Sequence, residues 1–87
     1  MFYVYLLKSR KDKSLYIGFA PDLKARFVKH TEGSVKSTKN LRPLELVYYE
    51  AYKSKKDALM REKQLKRFSK SYSMLKRRIN DSLMLQG

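Results

Sequence analysis

Residues Phe2 to Leu7 are all aromatic, β-branched or aliphatic, and a second such run, Leu15 to Phe19, follows the polar stretch Lys8 to Ser14. Two apolar runs joined by a short polar connection predict a β-hairpin. In the first run Tyr3, Tyr5 and Leu7 alternate with Phe2, Val4 and Leu6, so both faces of the strand are apolar and each needs a cover, for which helices are the natural choice. Gly18 closes the second strand. Pro21 suits a first helical turn, where its missing donor has no partner to lose, and Asp22 puts a carboxylate at the positive end of the dipole. A first helix is expected from about Pro21 to Thr31.

From Thr31 to Pro43 there is turn chemistry at Gly33, Ser34, Ser37, Thr38 and Asn40, with the basic residues Lys36, Lys39 and Arg42 and no apolar period, which predicts a basic loop. Leu44 to Tyr52 is nearly continuous in Leu, Val and Tyr and suits a central third strand. Ser54 and Asp57 have capping-box spacing ahead of a helix reaching about Phe68. A third helix, basic on one side, is expected over Ser69 to Leu83. The pattern predicts an α/β (α+β) fold, a sheet covered by helices in the order β-β-α-β-α-α. With 87 residues, one domain is expected, burying roughly 60% of its unfolded surface.

Helical projection sharpens the chemistry. On the second helix Ala58, Leu59 and Leu65 define an apolar stripe, and Glu62 falls inside it rather than with Arg61, Lys63 and Gln64 on the wet side. An inward carboxylate needs a cation, either a Lys or Arg or a metal. On the first helix Leu23 and Phe27 form the buried pair, with Arg26 and His30 one turn apart on the edge of the stripe. A guanidinium there can grip phosphate oxygens bidentately, and an imidazole can donate a hydrogen bond or a proton to a leaving oxygen. Taken singly, each is more readily a surface Arg with an apolar stem or a satisfied His, and only the constellation points to a site. Tyr3, Tyr5 and Tyr16 lie on the hairpin; a phenol becomes a base only where neighbouring positive charge lowers its pKa.

Charge narrows the class. Against 8 Asp and Glu stand 21 Lys and Arg, a formal net charge of +13. Such self-repulsion calls for an anionic partner, and nucleic acid fits best because each neutralised phosphate releases counterions. A membrane surface fits less well, since the charges run along the whole chain rather than one long amphipathic helix. Cysteine is absent and histidine single, which excludes disulfides and Cys- or His-cluster metal sites and suits a cytoplasmic protein. The run Phe2 to Leu7 is too short for a membrane span and no basic segment precedes it, so Met1 reads as a native start.

Tyr3-Val4-Tyr5, Tyr16-Ile17-Gly18, Asp22-Leu23 with Arg26 and His30, the Lys-Ser-Thr loop before Arg-Pro, and Arg61-Glu62-Lys63-Gln64-Leu65-Lys66 together resemble the GIY-YIG endonuclease superfamily, and most closely its small stand-alone bacterial members. The resemblance covers about residues 2 to 68, with the C-terminal helix beyond it. It implies a three-stranded antiparallel sheet flanked by helices, and nuclease chemistry. Tyr16 would be the general base or polarise the attacking water. Tyr5 would position the nucleophile or the phosphate. Arg26 would stabilise transition-state charge, and His30 would stand near the scissile phosphate. Glu62 would bind one Mg²⁺ or Mn²⁺ ion, a Lewis acid on the phosphoryl oxygen. Lys36, Thr38, Lys39 and Lys66 would touch the nucleic-acid backbone. Ala20 stands where the family has a hydroxyl residue, so a helix N-cap is expected to be missing there, at some cost in stability. Asn80 is a loose match for a late site Asn.

The expectation is a metal-dependent nuclease of little sequence specificity acting on DNA ahead of RNA, in a setting such as DNA repair or recombination. A monomer is expected, with a dimer as the alternative. Two other readings share the scaffold: a catalytically inactive nucleic-acid binder, and a module docking on an acidic protein or ribosomal RNA. The nuclease reading requires phenol, guanidinium and carboxylate to converge. An acid on the opposite side from the hairpin hydroxyls, or plugged permanently by a lysine, would contradict it.

Overall fold

A computed structural model describes residues 1–85. Strand β1 (Phe2–Ser9) turns into β2 (Leu15–Ala20), helix α1 (Leu23–Glu32) follows, a short 3-10 turn (Lys39–Leu41) leads to β3 (Leu44–Tyr52), and α2 (Lys55–Arg67), α3 (Ser69–Arg78) and α4 (Asn80–Met84) complete the chain. The three strands form one antiparallel sheet in the order β2-β1-β3. The expected architecture is present, with one correction. The central strand is β1, not β3. Val4, Tyr5, Leu6 and Leu7 of β1 are all buried, whereas β3 carries Glu45 and an exposed Tyr49, which an edge strand tolerates.

Because both faces of β1 are apolar, two cores form. On one face Tyr5, Leu7, Ala20 and Leu44 pack with Leu23 and Phe27 of α1. On the other, Val4 and Leu6 pack with Ala58 and Leu65 of α2 and Leu75 of α3. An irregularity in the pairing of β1 with β3 between Leu6 and Leu7 makes Leu6 face Tyr48 and Leu7 face Leu46, so Val47 is the extra residue of a bulge. The bulge turns both Val47 and Tyr48 toward the α2 and α3 layer.

Asp22 is itself the N-cap of α1, its Oδ1 accepting from the Ala25 amide at 3.0 Å. A hydroxyl at Ala20 is therefore not needed as a cap, and α1 begins two residues later than Pro21 would place it. Gly33 ends α1 in the left-handed region at φ 82°, which a side chain would disfavour. Ser54 caps α2 by accepting from the Asp57 amide at 3.1 Å. The single third helix expected over Ser69 to Leu83 is broken at Ile79, whose ψ of 24° leaves the helical range while its side chain packs on the second core. Lys8 then donates to the Leu83 carbonyl of α4.

The inner face of α2 also differs from the projection. Leu59 is 41% exposed, and Arg61 lies inward instead, donating to Glu50 of β3 through Nε at 2.9 Å and Nη2 at 3.0 Å. Tyr48 and Tyr52 give their hydroxyls to the same carboxylate. Burial alone would raise the Glu50 pKa, but the donors outweigh it and hold the carboxyl below its usual range. Burial and the acceptor together push Tyr48 and Tyr52 up to about 12. This cluster ties α2 to the edge strand. Glu50→Ala, which strands the guanidinium and two phenols, is expected to lower stability by about 3 kcal/mol, read as a lower urea midpoint with an unchanged m-value.

Candidate active site

Tyr5 pairs across the hairpin with Gly18, and a side chain added at Gly18 would stand 2.3 Å from the Tyr5 hydroxyl and ring. The bare backbone is what lets the phenol lie there. The Tyr5 hydroxyl meets His30 Nε2 at 2.8 Å, and His30 Nδ1 meets Thr38 Oγ1 at 2.7 Å. His30 and Thr38 have no exposed surface and Tyr5 has 1%. Tyr16, partly buried on β2, sets its ring edge-on to His30 at 5.3 Å between centroids and tilted to Tyr5 at 6.4 Å. Exposed Arg26, one turn before His30, acts on Tyr5 by pulling its pKa down.

Burial raises the Tyr5 pKa against the pull of Arg26, with the charges of Tyr16 and Glu62 adding to the rise. Burial, and after it the positive charge of Arg26, lowers His30 below 6.5. At neutral pH Tyr5 is thus a phenol and His30 a neutral imidazole. The buried phenol is a poor base, because desolvation outweighs the guanidinium that was expected to activate it.

His30 differs from its expected place at the rim. It is fully buried with both nitrogens engaged, one by Tyr5 and one by Thr38. Thr38, expected on the nucleic-acid backbone, is wholly buried too, its hydroxyl turned to His30 and its backbone held in the turn around Val35 and Leu41. Lys36, Lys39 and Lys66 are exposed, as is Asn80 at the start of α4. Arg26 borders a groove of about 300 Å³ together with Pro21, Asp22 and Lys29. Lys29 was missed in the sequence, although three residues from Arg26 is one turn along the same helical face.

Glu62 stands apart from this cluster. Its helix packs on the opposite face of the sheet from the Tyr5 core, its side chain is 20% exposed, and Lys66 Nζ lies 3.2 Å from its carboxylate. Its charge adds to the upward shift of the Tyr5 pKa. The lysine alternative to a metal is the arrangement present. An i,i+4 pair with a half-exposed lysine contributes only about 0.3 to 0.5 kcal/mol, so Lys66 is a displaceable partner and not a permanent plug. Among the described residues no group of three or more His, Cys, Asp or Glu is assembled to hold a metal. One carboxylate fits Mg²⁺, which keeps several waters and takes its other ligands from phosphate, and does not fit a caged ion such as Zn²⁺.

Residues 1–81 match the family described as the GIY-YIG catalytic domain. A UPF0213 protein of Staphylococcus saprophyticus is 46% identical over 69 residues, covering 78% of this chain and 83% of that one. A UPF0213 protein of Staphylococcus epidermidis is 44% identical over 73 residues, covering 83% and 88%. The solution NMR structure of a UPF0213 protein from Bacillus halodurans is similar at 34% identity with a TM-score of 0.54, over 86% of this chain and 81% of that one.

The packing of Tyr5 on bare backbone reverses a usual rule. Alanine at a strand glycine ordinarily stabilises, yet Gly18→Ala is expected to destabilise by about 2 kcal/mol because the Tyr5 ring must move, measured by denaturant unfolding. His30, with its folded pKa depressed, contributes stability that is complete above 6.5 and lost as pH falls, since the unfolded chain then binds the extra proton. Glu50, also depressed, loses its contribution only as pH falls below the usual 4.5. The Tm should therefore start to fall as the pH drops through the ordinary imidazole value of 6.5, and this step should vanish in His30→Gln.

Proposed function

This chain belongs to the GIY-YIG family, a family of nucleases, through a match over residues 1–81, and from that premise we propose that it hydrolyses phosphodiester bonds in DNA with one divalent ion. The observation that carries the proposal is the meeting of Tyr5, Tyr16, Arg26 and His30, drawn from β1, β2 and α1, in one cluster beside a basic groove. Glu62 would hold the ion, which when bound supplies Lewis-acid polarisation of the phosphoryl oxygen.

The chain's own groups have separate tasks. Tyr16, less enclosed than Tyr5, polarises the attacking water or takes its proton. Arg26 binds the non-bridging oxygens and stabilises the charge that grows on them, with Lys29 beside it. Tyr5 orients the phosphate through its hydroxyl, and His30 holds Tyr5. Lys36, Lys39 and Lys66 contact the backbone without reading sequence, which gives little intrinsic specificity. Thr38 is left out of that surface by its burial. The activity is assigned to a monomer in the cytoplasm, one domain spanning residues 1–87; among the described residues no helix is long and apolar enough to cross a membrane.

An inactive nucleic-acid binder is the second reading, favoured by the Glu62–Lys66 ion pair. Labelled single-stranded, nicked, branched and duplex substrates incubated with Mg²⁺ or Mn²⁺ separate the two. Glu62→Ala should abolish metal-dependent cutting with binding retained, and Arg26→Ala should slow cutting by about 10²-fold or more. Cleavage at the wild-type rate by Glu62→Ala would remove the carboxylate from the mechanism. A wild-type protein that binds with a steep salt slope and cuts nothing, even in excess over substrate, is the binder.

A further inference from the structure

A second basic groove lies on the layer opposite α1. Helix α3 ends in Lys76, Arg77 and Arg78. Lys76 lies over the ring of Tyr72 at 4.4 Å and is engaged there. Arg77 and Arg78 instead line an open groove of about 630 Å³ between α2 and α3, together with Arg61, Ser71, Met74 and Leu75. None of these residues borders the groove of Arg26 and Lys29, and Leu75 belongs to the core on the other face of the sheet from Tyr5. Arg61 spends its charge on Glu50. Arg77 and Arg78 are exposed, and among the described residues neither forms an ion pair with a carboxylate, Asp81 of the adjoining α4 included. A cationic last turn complements the helix dipole, but that asks only for charge near the C-terminus. It does not ask for two guanidiniums beside apolar surface, which Met74 supplies at 58% exposure.

We propose that this groove is a second nucleic-acid site that takes one unpaired nucleotide, with its two flanking phosphates on Arg77 and Arg78 and its base face on Met74. Two guanidiniums without acidic partners, in a chain of net charge +13, select an anion, and their forked donors match phosphate oxygens. The apolar surface beside them selects among anions. A duplex presents phosphates and sugars to a helix face while its base faces stay stacked, so it leaves Met74 uncovered. An unpaired nucleotide brings phosphate and a free base face together. The volume suits such a ligand, since small-ligand sites run from roughly 300 to 1,000 Å³. A contact of this kind is blind to base identity and reads only that the strand is single. On a branched substrate it holds the unpaired arm while the other layer cuts, a role that rests on the nuclease reading, whereas the binding does not.

Fluorescence anisotropy of a short labelled oligothymidine strand and of a blunt duplex, both in EDTA so that nothing is cut, tests the site. Arg77→Gln/Arg78→Gln should weaken binding of the strand by about ten-fold or more at about 0.1 M salt, and should reduce its salt slope by roughly 1.4, the share of two phosphates on a single strand. Lys55→Gln/Lys56→Gln removes the same charge from the first turn of α2, outside the groove, and should change the affinity by no more than about two-fold. Met74→Ser should weaken the strand about three-fold, less than loss of an aromatic stack costs, with the slope and the duplex affinity unchanged. Equal losses from the two double variants mean attraction by bulk charge and overturn the site. So does a Met74→Ser protein that binds the strand like wild type, or that loses strand and duplex alike. Met74, Arg77 and Arg78 are exposed, so the urea midpoint should hold; if the double arginine variant fails to fold, the single variants decide, each expected to take roughly 0.7 from the slope. A protein that binds as expected yet cuts no substrate loses the nuclease reading and keeps the groove. One that cuts, but whose groove variants bind like wild type, loses the groove and keeps the nuclease reading.

Discussion

Tyr5 lying over Gly18 is the contact on which the rest of this small protein is arranged. A phenol buried to 1% exposure on the central strand has to satisfy its hydroxyl inside the protein. The hydroxyl can lie where it does only because the opposing strand presents a residue without a side chain. That requirement fixes α1, which must deliver His30 from its last turn and Arg26 from the turn before. It also fixes the following loop, which must fold back through a 3-10 turn to set Thr38 against the far side of the imidazole. Gly33, in the left-handed region, makes that reversal possible directly after α1.

Most of the architecture was legible because its signals are periodic. Alternating apolar faces on Phe2 to Leu7 demanded two covers, and two helical layers are present. The exceptions have local causes. Composition could not rank β1 against β3, since both are rich in Val, Leu and Tyr; burial of both faces distinguishes them, and only pairing shows it. The bulge at Val47 breaks the period of two that assigns faces. The α2 stripe was misassigned because a long Arg61 can turn its head inward to Glu50 while Leu59, on the preceding turn, stays exposed. The buried hydroxyl of Thr38 was not legible at all, as a lone threonine in a basic loop has the composition of a solvated segment.

For the site, the residue types were legible and their depths were not. Helical projection puts Arg26 and His30 on one edge, which is correct to within a turn, but cannot say that the first is exposed and the second sealed. The difference decides their chemistry. A sealed neutral imidazole between two hydroxyls is an orienting group, whereas a guanidinium at the lip of a groove is free to meet a phosphate. Depth also separates the two tyrosines: Tyr5 is sealed and its pKa raised by burial, whereas Tyr16 is only partly buried.

A comparison of Glu50 on the sheet with Glu62 on the second layer shows why Glu62, and not Glu50, is the candidate ligand for a cation from solution. Glu50 receives two nitrogens of Arg61 and the hydroxyls of two tyrosines, which occupy its lone pairs with donors that have no better partner. Replacing them with an ion would strand a guanidinium and two phenols. Glu62 has a single lysine on it, and that lysine is half exposed and can return to water at almost no cost. In a chain of net charge +13, an acid so lightly held is an exception to a surface that otherwise favours anions. Its negative charge adds to the upward shift of the Tyr5 pKa.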